Sequence, residues 1–516
     1  MLRTSRSDDG VYTSKLGTAF NHILPVKRKY KEKLVPATRW LTSLYFCLVV
    51  VNVLIKNGLD LLVRNCRIVD VTGVYEADIG VVDGRIAAIG RNLEARAEKI
   101  IDAGGRYVFP GAIDGHVHFK LKYFEDVYTA DDFYTGTVAA ACGGVTTIID
   151  FVTPETRDYV EDYRRRKAEA DGEVVVDYGL HMSVTDFDEN IARMLTQLFE
   201  KEGLASVKMF TAYSRRGLML DDGKSYRLMK LCREKNVLVM VHAENEHLIN
   251  TLVDEFVSQG KTEPIYHSWS RPDFVEAEAV ERVAFLAGLT GAEILIVHVS
   301  SAMGLNAILE ARQKGVKIHG ETCPHYLMFT EDVYKRSDGA KFIMSPPLKK
   351  EHDREGLWRG LLTDGFSVVG SDHACFNLSQ KLGHKSFTTV PGGVAGTEVI
   401  NMILFSEGVV KRGMPLSRFV SLTAHNPAKL YGIYPRKGVI KVGADADFYI
   451  LDPSKKTRLT RENLHSNIDH SIYEDVEVSC RIVATFSRGE QIVDNGEFIG
   501  KRGRGKYLHM KRGDAG

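Results

Sequence analysis

Residues 112–118 read Ala-Ile-Asp-Gly-His-Val-His, an apolar run that ends on two histidines one residue apart. Seven runs of the same kind follow, at Val145–Phe151, Asp177–Val184, Ser206–Phe210, Leu238–Glu244, Ile294–Ser300, Ile318–Cys323 and Phe366–His373. Near-continuous apolar runs of this length mark strands buried on both faces, as in a parallel sheet. Most intervals between them hold a helix-like stretch, for example Glu276–Leu289 and Ala302–Lys314. Eight such units predict an α/β fold, a (β/α)8 barrel of the TIM type.

Outside this core the pattern changes. Leu59–Val71 and Ile79–Ile89 near one end, and Phe448–Leu451, Val476–Thr485 and Gln491–Val493 near the other, are short β-branched runs between Gly and Asp turns. One small β-sandwich domain built from both chain ends accounts for them. The organisation expected is an extension over 1–57, the small domain over 58–109 and 435–495, the barrel over 110–434, and a C-terminal tail over 496–516. The extension carries a basic stretch at 26–33 and an apolar run from Trp40 to Ile55. That run falls short of the roughly 20 residues needed to span a bilayer. Thr42, Ser43 and Asn52 interrupt it, and no small-x-small cleavage site follows. It reads as a dispensable extension, and no membrane contact is expected.

The 516 residues carry a formal net charge of +1, which argues against nucleic acid as a partner. The seven cysteines, Cys47, Cys66, Cys142, Cys232, Cys323, Cys375 and Cys480, are odd in number and form no CxxC pair. A zinc finger and a disulfide framework are both disfavoured, and a reducing cytoplasm is the simplest compartment.

The chemistry sits at the ends of the apolar runs. The first ends in His116 and His118, the fourth contains Lys208, the fifth His242, the sixth His298 and the eighth Asp372. In a barrel these ends form the rim where active sites are built. Alternate residues of a strand share a face, so both imidazoles of a His-x-His pair can reach one ion. Imidazoles with a carboxylate suit zinc and other first-row divalent metals. Any one of these residues alone reads as an incidental or core side chain; five runs aiming donors at one mouth do not.

Several segments resemble a known family. Pro110-Gly-Ala-Ile-Asp-Gly-His-Val-His118 is similar to the metal-binding signature of the amidohydrolase superfamily. Ser206-Val-Lys-Met-Phe-Thr-Ala-Tyr213 resembles the hydantoinase/dihydropyrimidinase segment that carries a carboxylated lysine. Val241-His-Ala-Glu244, Val297-His-Val-Ser-Ser301, Ser345-Pro-Pro-Leu348, Gly370-Ser-Asp-His373, 426–432 and 443–447 follow in that family's order. The resemblance runs from about Leu59 to Arg512.

The resemblance implies a metal-dependent cyclic amidohydrolase that opens hydantoins or dihydropyrimidines to N-carbamoyl amino acids through a hydroxide bridging two metals. His116, His118 and Asp372 would bind one metal, and His242 and His298 the second. Lys208, as N6-carboxylysine formed with carbon dioxide, would bridge them. The metals would be two divalent ions per chain, zinc first, with manganese, nickel or iron as alternatives. Asp372 would move the proton, Tyr213 would serve as oxyanion donor, and Ser345 and Gly392 would hold the ring amide. The partner implied is a small cyclic diamide, and the assembly a homotetramer.

The chain departs from the family at Pro391-Gly392-Gly393, where Asn-Gly is common, and in the loop Phe119-Lys-Leu-Lys-Tyr-Phe-Glu125. Phe119, Leu121, Tyr123 and Phe124 in that loop would favour a bulky apolar ring substituent, while Lys120 leaves room for an acidic one. Allantoinase or another cyclic imide hydrolase is the alternative within the enzymes. A non-catalytic scaffold like the collapsin-response mediators is disfavoured, because every ligand is present.

Overall fold

The computed structural model describes residues 58–124 and 126–513. The expected extension lies outside the described residues. Among those described, no helix is long and apolar enough to cross a membrane.

Eight parallel strands form the barrel in sequential order: β1 (Ala112–Val117), β2 (Val145–Val152), β3 (Asp177–Ser183), β4 (Ser206–Phe210), β5 (Leu238–His242), β6 (Ile294–Ile296), β7 (Ile318–Thr322) and β8 (Val368–Val369). The ring closes where Val117 bridges His373 and His118 N–H donates to His373 O at 2.8 Å. The barrel interior is filled by Ile113, Ile149, Leu238, Met240, Leu295 and Val368, all at most 2% exposed, so the barrel is a packed core rather than a pore.

β6 and β8 are shorter than their apolar runs. The run through Ser300 leaves the extended conformation by His298, whose φ is 41°, and the run through His373 does so by Asp372, whose φ is 49°. Hydrophobicity continues through both positions, but the backbone turns out of the strand where the polar side chain is displayed.

The two chain ends meet in a nine-stranded sheet. Phe448–Asp452 pairs antiparallel with Tyr107–Pro110, which stitches the late strands to the early ones. Leu59–Asp70 pairs with Ala97–Asp102 along its first half and with Tyr107–Pro110 further on, so the sheet branches there. Leu61, Ile68, Ile79, Val108, Phe448 and Phe486 share its core. The run read as a single strand over Val476–Thr485 is two. Val476–Val478 pairs with Thr457–Leu459 in a separate ribbon, and Arg481–Ser487 joins the large sheet. The break falls at Ser479, whose N–H donates to Ser406 Oγ.

Beneath the barrel, Lys437 is 2% exposed and its ammonium lies 2.6 Å from Asp177 and 3.0 Å from Asp445, with Asp447 in contact. This buried cluster ties the start of β3 to the small domain.

The segment set apart by its sequence as a C-terminal tail is built into the core. Tyr178 N–H donates to Lys506 O, Leu508 N–H to Tyr178 O and Met510 N–H to Gly203 O. Leu508 and Met510, 1% and 2% exposed, pack with the barrel interior. A Cβ on Gly179 would stand 2.8 Å from Met510 Sδ, so the strand accepts this plug only where it carries glycine. Leu508→Ala should cost ~2–5 kcal/mol, the range for a leucine deleted from a packed interior. Urea unfolding will check this; a loss below about 0.5 kcal/mol, the scale of surface substitutions, would contradict a structural plug.

Candidate active site

The barrel's C-terminal rim encloses a cavity of about 110 Å³ lined by His116, His118, Lys208, Tyr213, His242, His298, Ser345, Asp372 and Gly392. The residues singled out in the sequence therefore converge on one space, from strand ends and loops far apart in the chain. Asp372 Oδ1 lies 3.2 Å from His116 Nε2 and 3.3 Å from His118 Nε2. On the other side His242 Nδ1 lies 2.9 Å from His298 Nε2. Donor atoms of His116, His298 and Asp372 all fall within 4.8 Å of one another.

Two buried glutamates behind the histidines were not singled out in the sequence. Glu321 Oε1 lies 2.6 Å from His116 Nδ1, and Glu244 Oε2 lies 2.8 Å from His242 Nε2. Arg271 also donates to Glu244, at 2.6 Å. Burial works to raise the Glu244 carboxyl, but Arg271 and His242 outweigh it and hold it at about 2. With Nδ1 donating to Glu321, His116 turns the lone pair of Nε2 into the cavity; with Nε2 donating to Glu244, His242 Nδ1 accepts from His298 Nε2, which leaves the lone pair of His298 Nδ1 unused. A signal for Glu244 was present, since it stands two residues beyond His242 and so shares its side of the strand. Glu321 lies in the seventh apolar run, at a strand end like the others.

These donors fit a metal centre. His116 Nε2 and His298 Nδ1 are buried and make no hydrogen bond, a costly arrangement unless something else uses their lone pairs. Burial pushes His298 well below the usual imidazole range and His118 to about 4, so both rings stay neutral, the form that coordinates metal.

Lys208 is 2% exposed and ends in the same space. Its Nζ lies 5.0 Å from the centre of the Phe151 ring and 5.4 Å from that of Phe210. Among the described residues it makes no hydrogen bond or ion pair. Burial lowers its ammonium to about 8, against the pull of Asp372 and Glu321 in the other direction. The neutral amine is therefore more accessible than in an exposed lysine, though the ammonium still prevails at pH 7.

Three site residues occupy the left-handed backbone region, which is uncommon for side chains other than glycine: Tyr213 (φ 71°), His298 and Asp372. Each is held there by a carboxylate that accepts local N–H groups. Glu246 accepts from Tyr213 N–H at 2.7 Å and from Ser214. Glu321 accepts from His298 N–H at 3.2 Å, and Asp114 from the N–H and hydroxyl of Ser371.

The aromatic loop after β1 differs from its sequence reading. Phe119 is fully buried against Phe133 and His373, with its N–H on Asp150, and does not reach the cavity. Phe124 and Lys120 do not line it either; Leu121, Lys122 and Tyr123 do. Lys122–Phe124 forms a hairpin with Val127–Tyr128, which begins only after Phe119 has turned into the core. Residue 392 also finds a reason to be glycine, since a Cβ there would approach Tyr123 Oη at 3.3 Å.

Lys381 gave no signal in the sequence. Its Nζ, 1% exposed, donates to Ile343 O at 2.6 Å and to Pro391 O at 2.8 Å. It thereby ties together the segments that present Ser345 and Gly392. Burial lowers this ammonium to about 7, from 10.5. Below pH 7 both the folded and unfolded chains hold the proton. Between about 7 and 10.5 the unfolded chain alone retains it, so this residue's contribution to folding improves as pH rises through that window. Lys381→Met should therefore gain less stability than wild type between pH 7 and 10.5. Identical pH dependence in urea unfolding would contradict a buried cation at this position.

With the geometry in hand, comparison with known proteins is direct. Residues 107–492 match the Amidohydrolase family, and residues 50–104 match the N-terminal domain of the urease alpha-subunit. The chain is 40% identical over 452 residues to a D-hydantoinase of Geobacillus stearothermophilus, covering 87% of this chain and 96% of that protein. It is 39% identical over 460 residues to a D-hydantoinase of Ralstonia pickettii, covering 88% and 99%. The crystal structure of a dihydropyrimidinase from Brevibacillus agri aligns with a TM-score of 0.85 at 38% identity, covering 87% and 98%. The chain belongs to the amidohydrolase family, in its hydantoinase/dihydropyrimidinase branch. That family is metal-dependent, in keeping with the donor groups gathered here.

Proposed function

We propose that this protein hydrolyses cyclic diamides, 5-substituted hydantoins or dihydropyrimidines, to N-carbamoyl amino acids, using two divalent metal ions, zinc in the first instance. The observation that carries this reading is the set of buried imidazole lone pairs around Asp372 and Lys208. His116, His118 and Asp372 would hold one ion, and His242 and His298 the other. Lys208 would hold both as its carbamate. Its neutral amine adds to carbon dioxide and releases one proton, which converts a group that would repel cations into an anion with two oxygen donors. When bound, the metals supply a nucleophilic hydroxide at neutral pH and polarise the ring carbonyl.

The protein's own groups do the rest. Asp372 accepts the proton of the attacking hydroxide and delivers it to the ring nitrogen as the carbon–nitrogen bond breaks. The Tyr213 hydroxyl, kept protonated by burial, donates a hydrogen bond to the carbonyl oxygen as negative charge develops there. The backbone at Ser345 and Gly392 holds the ring amide, on segments that Lys381 keeps in register.

Residues 1–57 fall outside this catalytic unit, because every proposed ligand lies beyond Pro110. The family resemblance supports a homotetramer, and the cysteine pattern supports a cytoplasmic location.

Steady-state rates on hydantoin, a 5-aryl hydantoin, dihydrouracil, allantoin and dihydroorotate test the proposal. We expect substituted hydantoins or dihydrouracil to lead, activity to vanish on chelation, and zinc to restore it. Undiminished turnover in metal-free protein, or allantoin or dihydroorotate as the best substrate, would overturn it.

A further inference from the structure

The cavity mouth carries positive charge that the reading above does not use. Lys122, from the hairpin after β1, and Arg216, from the loop after β4, both line it. Among the described residues Asp372 is the one acidic residue in the lining. Among the described residues neither Lys122 nor Arg216 has a carboxylate partner. The nearby Arg271 differs, since it is committed to Glu244.

Arg216 is held in a defined place. It ends the turn Ser214–Arg216, whose first residue donates its N–H and its hydroxyl to Glu246. Gly217 and Leu218 close the turn with N–H groups donating to Ser214 O and Tyr213 O. The guanidinium carbon sits 4.4 Å from the centre of the Tyr123 ring and 5.6 Å from that of Tyr213. A guanidinium held over a ring by cation–π attraction keeps its five N–H donors available for hydrogen bonds. No side-chain hydrogen bond uses them among the described residues. Tyr213 is the proposed oxyanion donor, so Arg216, itself exposed, stands at the mouth beside that residue.

Resting on the hydrolase reading, we propose that the preferred substrate carries a carboxylate on its ring substituent, which Arg216 binds in plane and Lys122 supports by charge. The planar fork of arginine matches the two oxygens of a carboxylate. The stack on Tyr123 removes much of the entropy cost of holding it there. The apolar Leu121, Phe210 and Leu218 in the same lining accommodate the methylene arm. This revises the sequence expectation in two respects. The apolar surface is smaller than the loop suggested, and the cations come from Lys122 and Arg216 instead of Lys120.

The test compares 5-(2-carboxyethyl)hydantoin with its uncharged carboxamide, equal in size, on the metal-loaded enzyme. Wild type should favour the acid by about tenfold in kcat/KM, a modest return for a charge-assisted bidentate pair, and mostly through KM. Added salt should shrink that ratio. Arg216→Gln should bring it close to one. Arg216→Lys should leave an intermediate value, because charge remains and the fork is lost. A wild-type ratio near one with both rings opened, or a ratio unchanged in Arg216→Gln, would overturn the carboxylate proposal and leave the hydrolase reading standing. Failure to open either ring, with dihydrouracil opened, would overturn the carboxylate proposal alone; failure on all three would overturn both.

Discussion

Closing eight parallel strands into a ring leaves each strand few ways to end. Inward side chains alternate along every strand, and the last of them on each must emerge at the same mouth. In this chain the interior layers are apolar and seal the lower barrel, with Leu508 and Met510 filling it from below. The emerging layer is polar and draws on five different strands or the loops that follow them. Its donors meet because the ring is closed, through the pairing of His118 with His373. A barrel left open between β1 and β8 would separate Asp372 from His116 and His118, and with them one whole side of the site.

Charge then decides what this mouth can do. The histidines, Lys208 and Asp372 are placed where water is scarce, and burial disfavours each charged form. Glu321 and Glu244, one layer further out, orient His116 and His242, and the free lone pairs fall on His116 Nε2 and His298 Nδ1. Glu246, Glu321 and Asp114 meanwhile hold Tyr213, His298 and Asp372 at or beside unfavourable backbone angles, where strain of order 1–3 kcal/mol per residue is offset by hydrogen bonds to buried carboxylates. Much of the acidic complement of this region is therefore spent on positioning. Among the described residues Lys208 makes no ion pair, and burial lowers its ammonium against the pull of Asp372 and Glu321.

The barrel was legible because its signal is redundant: eight apolar runs, each long enough to require burial on both faces. The site was legible because its residues close those runs, at positions a barrel sends to one rim. What escaped the sequence has a common physical character. The short extents of β6 and β8 depend on left-handed backbone at His298 and Asp372, which hydrophobicity does not encode. Phe119 and Tyr123 share one aromatic loop, yet Phe119 turns inward against Phe133 and His373 before the hairpin begins, while Tyr123 lines the cavity. Lys381 looks like any surface lysine until two distant loops close over it. The C-terminal segment, rich in Lys, Arg and Gly, hides two apolar residues whose spacing matters only against Gly179 and the barrel floor.

The central claim is that Lys208 acts as a carbamate holding two metals. The electron density beyond Lys208 Nζ, in crystals of the metal-loaded protein grown with bicarbonate, tests it most directly. The account predicts a planar carboxyl group continuous with Nζ and lying between two metal peaks, one beside His116, His118 and Asp372 and the other beside His242 and His298. A bare amine at residue 208 with both metals in place would contradict it.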